Sequence, residues 1–431
     1  MESAGTPISS PEGWRFIFRA LTSRNYRLFF GGQGVSLIGT WIQQTAMSWL
    51  VYHRTNSAFL LGLVGFSGQI PALFLVPLAG VLTDRWNRYH LLIVTQSLAM
   101  IQALTLAFLD LRGTLSLSLI LILSLFLGAV NAFDMPTRQA LVVDLVEKKA
   151  DLGNAIALNS FIFNGARLIG PSLGGFLISF FGEGWCFLLN GVSFLAVIVA
   201  LLVMKPPALI PKNRRASLRQ ELREGVSYVV GFLPIRWLLL FLGFMSLVAM
   251  GYVTLLPIVA KDLLGGGPDT LGFLMAASGS GALLGAVFLA SRKSVLGLGR
   301  MIFVAVLIFG SGIVIFSFSR VLVVSLLSLS LTGFGMMVHM ASTNTILQTI
   351  VEDDKRGRMM SFFTLAFVGV APFGSLLAGI LAHQIGVPAT LLLIGVLCFL
   401  ASFLFRRQLP LLRTLVRPIY LQKGILDRIP E

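Results

Sequence analysis

Charge is what this sequence has least of. Asp, Glu, Lys and Arg together supply 12% of its 431 residues, about half the roughly 25% usual in soluble domains. A chain this poor in charge is neither a set of soluble domains nor a disordered polymer. Cysteine is nearly absent: Cys186 and Cys398 both sit inside apolar runs and build no disulfide framework or metal site. Tyrosine and tryptophan number six each against 34 phenylalanines, a bias suited to lipid, where a phenyl ring needs no polar partner. Carboxylates are the scarcer charges, 18 against 33 Lys and Arg, which leaves a net charge of +15. The basic residues lie between apolar runs rather than on one folded face, so they favour anionic lipid headgroups over nucleic acid as partners.

What is there in abundance is apolar sequence. Hydrophobic residues make up 56% of the chain and mean hydropathy is +0.87, the composition of a polytopic membrane protein. About 20 helical residues cross the hydrocarbon core. Twelve candidate spans fall near 26–52, 57–82, 89–111, 115–139, 151–181, 184–204, 235–260, 268–291, 299–319, 321–347, 357–386 and 388–405. With the N-terminus in the cytoplasm, inside segments hold 28 Lys and Arg and outside loops hold 4. That asymmetry places both termini in the cytoplasm of a plasma (inner) membrane. The first fourteen residues carry no cleavable signal pattern, so insertion starts from the first span.

The fold class is therefore an all-α membrane protein with twelve transmembrane helices in two six-helix pseudo-symmetric bundles. The expected organisation is a cytoplasmic segment (1–25), a first bundle (26–204), a linker (205–234), a second bundle (235–408) and a basic cytoplasmic tail (409–431). Within the linker, Leu218, Leu222, Val226, Val229 and Val230 share a helical face, which predicts a basic amphipathic helix on the inner membrane surface or a docking helix for a partner. A shift of 205 residues lays Gly128 on Gly333 and Val146 on Val351. One residue of slippage then aligns GPSLGGFLI (170–178) with GSLLAGILA (374–382), pairing Gly170 with Gly374 and Gly175 with Gly379. Repeats of this kind hold substrate near the midplane between two halves.

Two enzyme-like signatures fail on context. The G-x-S-x-G match at 170–174 lies in an apolar helix rather than a strand–turn–helix, in a chain with four histidines. The run GSGSGALLG at 277–285 lacks a preceding strand and a following Lys-Ser or Lys-Thr, so it is a packing stretch and not a phosphate loop. No enzymatic activity, metal or cofactor is expected.

The segment GVLTDRWNR at 80–88 resembles the loop signature of the major facilitator superfamily, G-x-L-x-D-R-x-G-R-[KR], with Asn87 in place of glycine and Tyr89 in place of a basic residue. FDMPTRQALVVDLV (133–146), NAIALNS (154–160), NGARLIGPSLGG (164–175) and VEDDKRGRMMS (351–361) resemble the branch that contains the enterobactin exporter and macrolide-efflux proteins, as does the stretch 21–58. The resemblance covers nearly the whole chain. It implies the major facilitator fold and efflux of an amphiphilic compound. GARLIGPSLGG also resembles the motif associated with antiporters of the superfamily.

Residue chemistry adds candidates. Gly80, Asp84, Arg85, Arg88 and Arg138 form an expected gate: Gly80 lets helices approach, Asp84 accepts from a helix N-terminus, and the arginines pair with rim carboxylates. Gly170, Pro171, Gly174 and Gly175 are expected to pack span 5 closely against a neighbour. Arg167 is the one basic residue at a span midpoint, and with Asn159 and Asn164 on one face it either orients substrate or ties span 5 to its neighbours. Gln43, Gln69, Tyr252 and Asn344 complete the substrate-binding candidates. No carboxylate sits at a span midpoint. Asp134 comes closest, and the 205-residue shift carries it onto His339, which makes the two a candidate proton-coupling pair or, alternatively, a rim anchor and a locally bonded histidine.

These readings predict a monomeric secondary exporter of an amphiphilic small molecule, a drug or siderophore, working by alternating access in the membrane. A transporter of lipid-like molecules and a non-transporting sensor or scaffold of the same fold are the alternatives.

Overall fold

The computed structural model describes residues 18–146, 148, 151–205, 226–292, 294–352 and 355–426, without the side chains of residues 77, 80, 81, 83–85 and 358. Three expected gate residues, Gly80, Asp84 and Arg85, lie outside the described side chains. Most of the expected amphipathic linker helix lies outside the described residues.

The described residues are built of helices and short connections. Helices α1 (Arg24–Thr55), α2 (Ala58–Arg85), α3 (Arg88–Leu111), α4 (Leu117–Leu145), α5 (Leu152–Phe181) and α6 (Glu183–Val203) precede the linker. After it come α7 (Leu233–Leu263), α8 (Pro268–Ala290), α9 (Leu298–Phe318), α10 (Leu322–Ile350), α11 (Met359–Ile385) and α12 (Val387–Gln422). Among the described residues, eleven of these helices are long and apolar enough to cross a membrane. Helix α1 is as long, at 32 residues, but its arginines and glutamines lower its hydropathy. Large side chains turned outward, such as Phe180 at 78% and Phe318 at 68% exposure, fit a lipid-facing surface.

Local chemistry sets the helix ends. Ser57 and Ser116 accept backbone N–H groups at the starts of α2 and α4. Asn87, the departure from the loop signature, caps α3: its Oδ1 accepts from the N–H groups of Tyr89 and His90 at 3.0 and 3.3 Å. Gly182 and Gly386 stop α5 and α11 with φ of +85° and +82°, a conformation open to glycine, and each is followed at once by the next helix. Short π-helical turns interrupt α7 at Val259–Leu263 and α11 at Leu365–Gly369, next to Pro257 and Pro372, whose missing N–H groups loosen the α-ladder.

Helices α1–α6 pack among themselves, chiefly as α1–α6, α1–α5, α2–α4, α3–α6 and α3–α4, and α7–α12 do likewise through α9–α10, α8–α10, α9–α12 and α7–α11. Two broad crossings join the sets, α5 on α8 and α2 on α11. Both are glycine contacts. A methyl added at Gly175 would meet the carbonyl of Pro268, first residue of α8, at 2.5 Å; one added at Gly379 would meet that of Ala58, first residue of α2, at 2.6 Å. A methyl added at Gly272 would likewise meet the Pro171 carbonyl at 2.5 Å, and one at Gly62 that of Ser375 at 2.8 Å. Within each set the pattern recurs: Gly170 meets Trp41 of α1, and Gly374 the backbone of Leu247 in α7. Gly174 meets Ile42 and Thr45 of α1. Gly165 faces open space.

The end of the molecule bearing the α1–α2, α7–α8 and α11–α12 connections is here termed distal. Among the described residues, hydrogen bonds and close approaches between the two sets run from mid-helix, at Gly279 on Arg167 and Gly369 on Leu73, to that end. There the Tyr52 hydroxyl donates to Asp262, and Lys261 Nζ donates to Asn56 Oδ1 at 2.7 Å. One boundary differs from expectation. The segment after 408 is not a separate tail as far as Gln422, because α12 continues unbroken to that residue. Leu409, Leu412 and Val416 keep helical spacing and are buried, so packing carries the helix past Pro410.

Candidate functional site

A cavity of about 440 Å³ lies between the two sets and beneath the Tyr52–Asp262 contact, within the size range of small-molecule sites. Its walls are unequal. Helices α1–α4 and α6 supply most of the lining, with the amides of Gln33, Gln43, Gln44, Gln69, Gln96 and Gln102 interleaved with Leu37, Met47, Leu61, Val64, Leu127 and Phe194, while α7 and α8 supply Met250, Val253 and Met275. Thr254 and Ser375 are the polar groups of the second set. Amides interleaved with aliphatic and thioether side chains suit a solute with both polar and apolar parts.

Two polar clusters hold these amides in place. Asn190 Nδ2 donates to Gln43 Oε1 at 2.8 Å, Gln43 Nε2 donates to Gln102 Oε1 at 3.2 Å, and Gln102 Nε2 donates to the Leu123 carbonyl at 3.3 Å. This chain ties α6, α1, α3 and α4 together with buried amides. Nearer the other end, Asp134 Oδ1 accepts from Thr95 Oγ1 at 2.9 Å and from Gln96 Nε2 at 2.7 Å. Its Oδ2 lies 3.4 Å from Arg138 Nη2. Asp134 and Arg138 are the charged residues of the lining, and they face it as a neutral pair. Two lining amides keep an unpartnered acceptor, Gln33 Oε1 and Gln96 Oε1, each on a residue 3% exposed.

The sequence-derived candidates divide. Gln43 and Gln69 line the cavity, as do Asp134 and Arg138. Arg138 pairs with Asp134, the alternative reading of that carboxylate, and Arg88 pairs with Asp144 near the end of α4 at 2.9 Å. Arg167 does not line this cavity: its guanidinium stands 6.0 Å over the Trp41 ring of α1, and its carbonyl meets α8 at Gly279. Asn164 turns back on its own helix, donating to the Ser160 carbonyl at 2.8 Å, and Asn159 is not in the lining. Tyr252 is buried, with its hydroxyl 2.8 Å from Ser278 Oγ, and Asn344 accepts from Gln348 at 3.0 Å on the same helix.

Asp134 and His339 are not brought together. His339 is fully buried, its ring set edge-on 5.3 Å from Phe241, with neither nitrogen hydrogen-bonded. The equal sequence shift holds for helix position but not for the face presented: α10 turns residue 339 toward α7. Sequence reasoning passed over Gln96, Gln102, Asn131 and Asn190 as lining residues; the signal was present, since amides inside apolar runs are costly unless they face a wet or paired site.

Known proteins place the chain. It is 26% identical to the staphyloferrin A transporter of Staphylococcus aureus over 383 residues, 88% of this chain and 95% of that one. It is 24% identical to the multidrug efflux pump Tap of Mycolicibacterium fortuitum, covering 87% and 90% of the two chains. Identity with macrolide efflux protein A of Streptococcus pyogenes is also 24%, over 86% and 94%. Among solved structures, a bacterial homologue of the human lysosomal transporter Spinster, inward-facing and occupied, superposes with a TM-score of 0.68 at 15% identity over 89% of this chain and 97% of that one. The nucleoside transporter NupG does so at 0.67 and 13% over 89% and 99%. The model of the transmembrane secretion effector family matches residues 17–415. The chain is a multi-pass membrane protein of that family, within the major facilitator superfamily.

Proposed function

We propose that this protein exports an amphiphilic small molecule by alternating access, through the cavity between α1–α6 and α7–α12. The observation that carries the reading is the position of that cavity: it is closed distally by glycine crossings and the Tyr52–Asp262 contact, and lined by amides together with aliphatic and methionine side chains. The relatives, a staphyloferrin A transporter, a multidrug efflux pump and a macrolide efflux protein, support small-molecule export as the activity.

Helix α1 is the twelfth span in this reading, its glutamines turned inward where lipid does not meet them. The two sets are six-helix bundles related by a pseudo-two-fold axis: exchanging each helix with the one six places on converts the α2–α11 crossing into α8–α5. The chain works as a monomer in the inner membrane, with lipid as its surroundings. By the positive-inside distribution the distal end is outside, both termini are cytoplasmic, and the cavity faces the cytoplasm. Substrate enters the cavity from that side. Separation of the glycine crossings and closure at the cytoplasmic rim, where Asp84, Arg85 and Arg88 stand, then release it outward.

Proton coupling, in this reading, falls to Asp134. It is the cavity's carboxylate, and its partners Thr95, Gln96 and Arg138 lie on α3 and α4, so a change in their spacing alters its affinity for a proton. Only such differential protonation links a gradient to a conformational equilibrium. The purified protein in liposomes, assayed by counterflow with a panel of siderophores, macrolides and lysolipids with and without a pH gradient, tests the proposal. Exchange of at least one amphiphile, accelerated by the gradient, is the expected result; exchange of lysolipids alone favours lipid transport, and no exchange of any compound favours a sensor.

A further inference from the structure

We infer that a second pocket, at the cytoplasmic end of the second bundle, binds an anionic phospholipid of the inner leaflet; the leaflet assignment rests on the orientation proposed above. The pocket exists because α12 overruns the membrane. Its 36 residues span roughly 54 Å at 1.5 Å rise, against a hydrocarbon core of about 30 Å. The apolar run ends at Arg406 and Arg407, yet the helix goes on, and the Lys423 ammonium pins its far end by donating to the carbonyls of Thr349 and Val351 at 2.8 and 3.4 Å. At the near end α9 rides close, since a methyl at Gly299 would lie 2.6 Å from Leu409 Cδ1.

Between these anchors remains a space of about 260 Å³, lined by Pro234, Leu238, Ile346, Leu412, Val416 and Tyr420. It shares no lining residue with the central cavity. Arg413 and Arg417, also in the lining and one helical turn apart, are exposed. Among the described residues neither guanidinium has an ion pair or a hydrogen bond. On α12's outer face Leu411 and Leu415 are 45% and 37% exposed, which fits a helix lying in the interfacial layer. An apolar slot with two unpaired guanidiniums at its mouth is complementary to an acyl chain carrying an anionic phosphodiester, which arginine grips through paired N–H donors. A soluble anion would use the arginines but leave the slot unfilled; a zwitterionic lipid would fill the slot but answer the two positive charges less well.

The test is native mass spectrometry of the full-length detergent-purified protein with phosphatidylglycerol, phosphatidylethanolamine or inorganic phosphate added. Wild type should retain one phosphatidylglycerol in preference to phosphatidylethanolamine. R413Q/R417Q should weaken that retention by roughly tenfold or more, at about 1 kcal/mol per basic residue near the surface. Leu412→Trp, which fills the slot and keeps both arginines, should weaken it too, whereas R406Q/R407Q should not. Equal retention of both lipids, undiminished retention in R413Q/R417Q, or displacement by inorganic phosphate would overturn the proposal. So would a disulfide between Leu412→Cys and a cysteine placed in 206–225 that forms efficiently and abolishes retention, since the linker would then be the occupant.

Discussion

Gly175 on α5 and Gly379 on α11 occupy equivalent places: each rests on the carbonyl of the first residue of the helix it crosses, Pro268 for one and Ala58 for the other. These two contacts bring the bundles together at the distal end, and neither leaves room for a side chain. Gly175→Leu and Gly379→Leu should each disfavour the distally closed state by about 1–3 kcal/mol, the usual cost of overpacking. Counterflow should fall at least several-fold in each, while a maleimide applied from outside labels a cysteine at Gln69 faster. Unchanged labelling and transport would show that the crossings are not part of the cycle.

The hydrogen bond from Tyr52 to Asp262 is the polar half of the same closure. Tyr52→Phe removes the donor and costs about 1 kcal/mol of distal closure. Asp262→Asn keeps an acceptor and should behave closer to wild type. External labelling rates for the same cavity cysteine rank the variants, and the expected order is Tyr52→Phe above Asp262→Asn above wild type.

Gln43 and Gln69 both line the cavity, and the structure separates their roles. Gln43→Leu strands the amides of Asn190 and Gln102, so thermal stability should fall by about 1–3 kcal/mol. Gln69 donates only within its own helix, to the Gly65 carbonyl at 3.3 Å. Gln69→Leu should therefore leave the melting temperature near wild type and change KM for substrate. Thermal unfolding measured beside transport kinetics distinguishes the two; equal destabilisation by both would contradict the assignment.

Asp134→Asn should abolish the acceleration of export by a proton gradient while preserving counterflow, which needs no net proton movement. His339→Gln should keep the gradient dependence, because the ring is fully buried against Phe241 and is not among the cavity-lining residues. Loss of coupling in His339→Gln with retention in Asp134→Asn would reverse this reading.

The helices were legible because lipid imposes length and apolarity on every span, and the observed limits of α5, Leu152–Phe181, nearly match the run 151–181. The glycines at the crossings were legible because close crossings exclude side chains wherever they occur. The cavity face was harder to read. In a soluble helix the polar stripe marks the outside, but here the lipid face and the packed face are both apolar, so Arg167, Tyr252 and Asn344 gave no sign of which way they turn. Arg167 stands over Trp41 of α1 and Asn344 bonds on its own helix, contacts that spacing along one span does not reveal. The overrun of α12 was hidden by Arg406, Arg407 and Pro410, which read as the end of a span.

Spin-label distances across both ends of the protein test alternating access most directly. One pair at Thr114 and Arg320 spans the distal end, and another at Lys148 and Ser294 spans the opposite end. In liposomes without substrate the distal pair should be at its shorter distance and the other at its longer one. Adding a transported amphiphile with a proton gradient should lengthen the distal distance and shorten the other in the same population. Distances that stay fixed at both ends during measured transport would contradict the account.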